Sequence, residues 1–521
     1  MKINSIMNTT RICIVGFLMI TPFFIFSQNI DEIFESSGEV HFSFDYHNKK
    51  QLDKLSKIIS IDHQTNNIKA YAYANKTEFK NFLNQSIDYK IIYDKRDLKS
   101  PNHNRSNWDF YPSYPQYVSM MEAFADSFPS ICKLHNIGTL SSGHKILIAQ
   151  ISNNVGVKEN EPSFLYTSSM HGDELTGYIL MLRLIDEMLN GYGTNIQFTN
   201  LINNVDIWIN PLANPDGAYA GGDNSIQGAT RYNANWVDLN RNYPDPLAGD
   251  HPDGNIWQEE TIIFMDLADS IPFNMSCNLH TGAEVFNYPW DTWSNLAADD
   301  SWWQYIATLY ADTVHHQSPG YFTDLNNGIT NGWDWYEVDG GRQDFMNYFK
   351  FCREATLELS SNKIPNPITL PDYWNYNGPS LVNYIEQSLF GLRGLVTDSL
   401  SGAPLSARVE ISGHDYDSSH IYSNLPIGNY HRYLSPGNYQ LTFSKNGYYS
   451  KTVVADVYAN TSTIENVMLA PISFVGINEI KKPRKVISSY DLIGRKSTNH
   501  NGLVLKLFDN GSVKKTINLN K

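Results

Sequence analysis

Residues 164–189 read FLYTSSMHGDELTGYILMLRLIDEML. Phe164 to Thr167 is an apolar run of strand length that ends near Met170. From Glu174 to Leu189, apolar residues recur at Leu175, Ile179, Leu182 and Ile185 with helical spacing. Between the two lies His171-Gly172-Asp173-Glu174, a histidine and a glutamate three residues apart at a strand-to-helix junction, with a glycine that permits a tight turn. Two such side chains can converge on one ion. Zinc favours imidazole nitrogen and carboxylate oxygen in an open site of three protein ligands and a water. His280 is the best third candidate, because it ends the apolar run Met275 to Leu279. Taken alone, His171 reads more simply as a capping or core histidine.

Further strand-like runs at Ile146 to Ile151, Val205 to Ile209 and Thr356 to Leu359 surround this stretch. Strands alternating with helical patterns predict an α/β sheet with helices on both faces over residues 105–390. Residues 28–100 are polar and lysine-rich. Val40 to Phe44 and Ile68 to Ala74 read as strands there, and Gln51 to Ile59 and Lys76 to Leu83 as helices, a small α+β unit. Residues 391–470 change to short alternating segments such as Arg408-Val409-Glu410-Ile411 separated by Gly, Pro and Asn, the pattern of a small β-sandwich. Residues 471–521 hold a basic patch (Lys481, Lys482, Arg484, Lys485) and more strand-and-turn patterning.

Three more clusters carry possible chemistry. Asn214-Pro215-Asp216-Gly217 is followed by Arg231 and by Asp238-Leu239-Asn240-Arg241-Asn242-Tyr243-Pro244. Arginine binds carboxylates bidentately and keeps its charge when partly buried, so it suits an enzyme that clips chain ends. The plainer alternative is surface arginines in a polar loop. Gly332 to Asp344, dense in aromatics and glycine, reads as a loop that closes over a ligand or as a packed aromatic loop. Glu358 stands between Leu357 and Leu359 on a strand and so faces the other side of the sheet. Solvent exposure is the default account of one such glutamate.

With 521 residues the chain has room for two to four domains. Its net charge of -15 argues against nucleic acid, whose phosphates need Lys and Arg. Lys2 and Arg11 precede or border the apolar run Ile12 to Phe26, and Ser27-Gln28 offers a cleavage point, so residues 1–27 read as a signal peptide. No later segment is apolar enough to span a bilayer, and the mature chain is expected outside the cytoplasm without a transmembrane segment. Cys13 leaves with the signal. Cys132, Cys277 and Cys352 then allow at most one internal disulfide, and no CxxC pair exists, so any metal must use histidines and carboxylates.

Taken together and in this order, the clusters resemble the zinc carboxypeptidase family, of which carboxypeptidase A is the best-known member. HxxE, NPDG, the arginine with DLNRN, His280 with Asn287-Tyr288-Pro289-Trp290-Asp291, Tyr336 with Gly340-Gly341, and Leu357-Glu358-Leu359 carry the match over residues 105–390. The resemblance implies a mixed eight-stranded sheet flanked by helices and one Zn²⁺ held by His171, Glu174 and His280. It implies that Arg231 polarises the scissile carbonyl, that Asn240 and Arg241 bind the terminal carboxylate, that Tyr336 is a mobile cap, and that Glu358 is the general base. Peptide or protein C-termini would be the substrates. Asp291 and Gln343 match the regulatory subfamily (carboxypeptidases N, E, M and D), where they line a pocket for C-terminal Lys or Arg. That subfamily usually has Met where Arg342 stands, and a cation there would weaken the preference.

The flanks extend the resemblance. Residues 391–470 are similar to the transthyretin-like domain that follows the catalytic domain in that subfamily. Residues 28–100 resemble a carboxypeptidase prodomain, a unit the subfamily normally lacks. Ser489 to Lys496 and Asp509 to Lys515 are similar to type IX sorting domains of Bacteroidetes, which implies the type IX secretion machinery as a partner and export to the cell surface or medium. Two other readings remain: an amidohydrolase of peptidoglycan stem peptides on the same fold, and an inactive surface-binding homologue. No catalytic position is missing, which weighs against the second.

Overall fold

The computed structural model describes residues 30–65, 68–92, 108–472, 485–496 and 502–518. The apolar run from Ile12 to Phe26, Cys13, and Lys481, Lys482 and Arg484 of the basic patch lie outside the described residues. The chain forms two compact units: one runs to Lys445 and takes in Ser450–Leu469, and the other comprises Asn446–Tyr449 and the chain from Ala470.

The first unit begins with α1 (Ile30–Ser37), β1 (Glu39–Asp45), α2 (Lys49–Ser56), β2 (Ser60–Thr65), β3 (Lys69–Asn75), α3 (Lys76–Leu83) and β4 (Tyr89–Ile91). The strands form an antiparallel sheet in the order β2-β3-β1-β4. Val40, Phe42 and Phe44 alternate inward from β1 and meet Leu52 and Leu55 of α2 and Phe79 and Phe82 of α3. Asn75 starts α3 through a capping box with Glu78. The patterns expected over Val40 to Phe44 and Lys76 to Leu83 correspond to β1 and α3. β2 was not foreseen, because Asp62, His63 and Gln64 break any apolar alternation.

Next come α4 (Tyr114–Ser127), β5 (Cys132–Thr139), β6 (Lys145–Ile151), β7 (Ser163–Ser168), α5 (Thr176–Gly191), α6 (Ile196–Asn204), β8 (Asp206–Asn210), α7 (Pro215–Ala218) and α8 (Glu259–Ser270). β9 (Met275–His280), β10 (Glu284–Tyr288), α9 (Asp300–Gln317), α10 (Asp324–Gly328), β11 (Ile329–Asn331), α11 (Gly332–Trp335), α12 (Arg342–Phe349), β12 (Arg353–Leu359) and α13 (Leu370–Gln387) complete this part. The sheet is eight-stranded and mixed, in the order β11-β10-β12-β9-β7-β8-β6-β5. β7 and β8 are buried at every residue, as strands covered on both faces must be. One face packs on α5, whose Ile179, Leu182 and Ile185 are fully buried.

Residues 391–469 fold into two four-stranded sheets. One holds β13 (Gly391–Asp398), β16 (Asn429–Arg432), β19 (Ser462–Ile464) and β20 (Val467–Leu469). The other holds β14 (Arg408–Ile411), β15 (Ile421–Tyr422), β17 (Gly437–Ser444) and β18 (Lys451–Val457). Tyr430 of the first sheet packs edge-on against Phe443 of the second. A buried charge network fixes this sandwich to the larger sheet: Asp299 accepts hydrogen bonds from Arg353 at 2.8 Å and from Arg432 at 2.8 Å, and Arg432 also donates to Asp415 at 2.7 Å. In the second unit, β21 (Val486–Tyr490), β22 (Gly502–Phe508) and β23 (Val513–Asn518) form an antiparallel sheet.

Cys132, Cys277 and Cys352 are buried and unpaired, so the disulfide that their number allowed does not form. In α9, His315 is half-buried with Nε2 2.9 Å from the Phe322 carbonyl, whereas His316 is exposed. Among the described residues no helix is long and apolar enough to cross a membrane.

Candidate active site

β12, β9 and β7 are consecutive in the sheet and mutually parallel. From β7 the chain crosses to β8 on one side, and from β9 it goes on to β10 on the other, so the connections part between β7 and β9. Open α/β sheets form a crevice at such a switch, beyond the carboxyl ends of the strands. His280 is the last residue of β9 and pairs with Glu358 on β12. After β7 the chain turns at Ser169, which has φ of +57°, and Ser169 Oγ donates to the Glu174 carbonyl at 2.7 Å. His171 and Glu174 both sit in this turn. α5 starts at Thr176, so Glu174 precedes the helix rather than opening it.

Asn214 explains why the NPDG stretch is needed. Its Nδ2 donates to the carbonyls of Met170 and Tyr232 at 3.1 and 3.2 Å, which ties the His171 turn to the Arg231 loop. Gly172 lets the two backbones meet, since a Cβ there would stand 2.2 Å from the Gly217 carbonyl carbon.

His171 Nδ1 lies 3.0 Å from Glu174 Oε1, His280 Nδ1 lies 2.8 Å from Glu174 Oε2, and the two Nδ1 atoms are 3.1 Å apart. A tetrahedral ion with bonds of about 2.0–2.1 Å sets its ligand atoms about 3.3 Å apart. The group therefore fits a zinc ion in size and in donor chemistry, and it is the one cluster of its kind among the described residues. His171 Nε2 lies 2.9 Å from Asp238 Oδ1, which fixes the ring and leaves Nδ1 for the ion. Burial holds the His280 imidazole down near a pKa of about 4, which leaves the ring neutral. Burial alone would raise Glu174, but His171, Lys363 and His280 hold it ionised.

Glu358 Oε2 is buried and makes no hydrogen bond among the described residues. Burial, with the Glu174 and Asp62 carboxylates beside it, raises the Glu358 carboxyl well above the usual range. Arg231 is buried, with NH1 on Glu174 at 3.1 Å and Nε on Asp238 at 3.0 Å. Arg241 donates one hydrogen bond to the Asn240 carbonyl, while its Nε and NH2 stay buried and unsatisfied among the described residues.

Asp291, Asp344 and Asp245 form a buried acidic floor close to Asn240. Asp291 Oδ1 accepts from Asn287 and Gln343 at 3.1 Å each, its backbone N–H donates to Asp344, and Asp245 accepts from Thr292 Oγ1 at 3.2 Å and the Gly340 N–H at 3.0 Å. None of the three acids forms an ion pair among the described residues. Burial pushes Asp291 up to about 6 and, together with Asp291, raises Asp344 well above the usual carboxylate range. Asn287 Oδ1 and Gln343 Oε1 are unsatisfied acceptors among the described residues.

Arg342 does not stand in this pocket. Its guanidinium turns into the core, donates to Thr167 Oγ1 at 2.6 Å, pairs with Glu354 at 3.2 Å and stacks on Phe264. The cation expected beside the pocket is thus neutralised behind it. Only the backbone N–H of Arg342 reaches the site, where it donates to Asn240 Oδ1 at 2.9 Å.

The Gly332–Asp344 stretch is not one loop: α11 and the start of α12 bracket residues 336–341. Trp335, Tyr336 and Val338 pack into the core of residues 30–92, which lies across the site. Ser60 Oγ donates to Asp238 at 2.6 Å, the Tyr336 hydroxyl donates to the Ile61 carbonyl at 3.1 Å, and Asp62 pairs with Lys363 at 3.4 Å. Asp62, Asp238, Asp245 and Lys363 were not anticipated as site residues. Asp238 lies inside a quoted motif, but Lys363 carries no pattern of its own.

Residues 117–380 match the family model described as zinc carboxypeptidase. Carboxypeptidase D of Mus musculus is 34% identical over 395 residues, covering 73% of this chain but only 28% of that protein. Carboxypeptidase SOL1 of Arabidopsis thaliana is 33% identical over 364 residues, covering 68% of this chain and 72% of that one. The crystal structure of carboxypeptidase A from Helicoverpa armigera superposes with a TM-score of 0.55 at 18% identity, covering 68% of this chain and 98% of that one, and shares the fold. With the family model spanning half the chain and a relative matched over most of its length, this protein belongs to the zinc carboxypeptidase family.

Proposed function

We propose that this protein is a zinc metallocarboxypeptidase that removes C-terminal Lys or Arg from peptides. The observation that carries the reading is a set of complementary unsatisfied groups around the His171, Glu174 and His280 cluster. Arg241 offers buried N–H donors without acceptors, and Asn287 and Gln343 offer buried acceptors beside three unpaired acids. A chain end with a carboxylate and a cationic side chain answers both.

His171, Glu174 and His280 would hold the zinc. When bound, zinc acts as a Lewis acid that polarises a carbonyl and lowers the pKa of a water to about 7. Glu358 takes the proton of the attacking water on its carboxylate and delivers it to the leaving amine. Arg231, held by Glu174 and Asp238, faces the charge that develops on the carbonyl oxygen. Asn240 and Arg241 hold the terminal carboxylate, which an internal peptide bond lacks. Asp291 and Gln343 receive the side chain, and Tyr336 covers it.

Residues 30–92 hold the site in a latent form. Ser60, Ile61 and Asp62 engage Asp238, Tyr336 and Lys363, and so occupy Tyr336, which the substrate needs. The apolar N-terminal run and the sequence of residues 489–515 support export through the type IX machinery to the cell surface or medium.

Zinc-loaded protein freed of residues 30–92 should release Arg and Lys from peptides far faster than Phe or Glu. Equal rates for Arg, Phe and Glu ends would remove the basic preference, and no release from any of them would remove the enzyme.

A further inference from the structure

Lys363 is a buried lysine for which the mechanism above has no use. It follows β12 and is 6% exposed on its side chain. Its Nζ lies 3.0 Å from Glu174 Oε1 and 3.5 Å from Asp173 Oδ1, both in the His171 turn. Its other partners belong to the covering unit: Asp62 Oδ1 at 3.4 Å, and the Tyr73 ring, 4.1 Å below the ammonium. Half of the lysine's shell therefore leaves when residues 30–92 leave. An ammonium then faces the cleft, with Glu174 and Asp173 behind it and the places of Asp62 and Tyr73 open.

The path to Lys363 is built into the backbone. Gly282 has φ of +137°, and a Cβ on it would come within 2.6 Å of Asp62 Oδ1. The missing side chain opens the gap through which the Asp62 carboxylate reaches the lysine. β2 passes this point extended, and the hydroxyl of Tyr336 donates to its Ile61 carbonyl as it would to a peptide. The groups for the last residue of a substrate gather elsewhere, around Gly341: Asp291 Oδ2 and Asn240 Oδ1 lie 3.4 and 3.8 Å from where its Cβ would stand. Lys363 instead adjoins Thr281, whose Oγ1 donates to its carbonyl at 3.2 Å. A chain with its end at Gly341 and its scissile bond at the ligand group leaves the site toward Thr281 and Gly282.

We propose that Lys363 is a specificity-determining cation for the penultimate residue of the substrate, favouring an acidic side chain there, and that Asp62 fills this place in the latent form. The proposal rests on the carboxypeptidase reading for the direction of the substrate. It makes the preferred chain end an acidic residue followed by a basic one.

The test uses the zinc-loaded chain cut by trypsin between residues 92 and 108, where Lys95, Arg96, Lys99 and Arg105 stand in the sequence, and then freed of trypsin and of residues 30–92. Dansylated Phe-Asp-Arg, Phe-Ala-Arg and Phe-Lys-Arg are compared by kcat/KM. Asp-Arg should exceed Lys-Arg by about tenfold or more, the scale of one partly desolvated charge pair. Lys363→Arg should keep that ratio and Lys363→Gln should bring it to about one. A lysine that merely supports Glu174 would lower all three peptides together and leave the ratio intact, which overturns the proposal, as does a wild-type ratio of one or less. If no peptide releases arginine, the carboxypeptidase reading fails separately. Fluorescence anisotropy of the same three peptides then decides: tighter binding of Phe-Asp-Arg that is lost in Lys363→Gln sustains the role of Lys363, and equal affinities end it.

Discussion

Glu358 and His280 stand opposite each other on the adjacent parallel strands β12 and β9. The sheet itself thus sets the spacing between the proposed base and a proposed zinc ligand, and no loop has to order to bring them together. Rigid strands hold catalytic geometry better than loops do. Glu358→Gln keeps shape and removes the proton acceptor. The variant should retain about one zinc per chain by elemental analysis and lose about 10² to 10⁴ in kcat. Turnover near wild type in a zinc-replete sample would remove Glu358 as the base.

Burial raises the Asp291 carboxyl to about 6, and burial together with Asp291 raises Asp344 well above the usual carboxylate range. Asp291→Ala should lower kcat/KM for C-terminal Arg by 2 to 5 kcal/mol, about 30-fold or more, because a buried ammonium or guanidinium would lose its counter-charge. Peptides ending in Phe should change far less. An Arg-to-Phe ratio that survives the substitution would place the specificity determinant elsewhere.

Residues 30–92 cover the site through β2 and through the packing of Phe42, Phe44 and Tyr46 with Ala283, Val285 and Trp335 in one core. Intact protein should therefore be at least about 100-fold less active than protein nicked between residues 92 and 108, the factor expected if the covered form makes up 99% of molecules. Activity time courses alongside gel analysis of the nick would show the two rising together. Full activity in the uncut chain would mean that the cover leaves the substrate path open.

Much of this site was legible because its residues sit at strand ends, where short motifs keep fixed geometry. His280 ends β9, Glu358 is next to last on β12, and His171 and Glu174 lie in the turn that follows β7, so it was the ordered set of motifs, and no single one, that pointed to the site. Arg342 misled for the opposite reason: its position beside Gly341 is a pocket position, but the chain turns its side chain backwards to Glu354 and Thr167. Sequence neighbours tell nothing about that rotation. Asp62 and Lys363 are 301 positions apart by their numbers and meet only because one folded unit lies on another. β2 escaped notice for the same reason: its polar residues face the catalytic domain, and this breaks the alternation by which strands are recognised.

Glu78 gives the cover a dependence on pH. It receives hydrogen bonds from the Tyr232 hydroxyl and from the Asn75 N–H at 3.0 Å, with no ion pair among the described residues. Burial raises it to about 7 despite those bonds. The folded protein then holds a proton that the unfolded chain releases near 4.5, so between these values the native state binds more protons and stability falls as pH rises. The contribution is complete below about 4.5 and lost as pH passes about 7. Asp62 and Asp415 act oppositely, since their carboxyls are held well below the usual range, and their contribution disappears only in stronger acid. Melting temperatures of zinc-saturated protein should therefore decline from pH 5 to pH 8, and the decline should be shallower in Glu78→Gln, which mimics the protonated acid. The difference between wild type and variant isolates Glu78 from the other buried carboxyls that titrate in the same window, such as Glu161. Parallel curves for the two proteins would show that the Glu78 proton is not linked to folding, and a wild-type curve that gains on the variant as pH rises would reverse the sign assigned here.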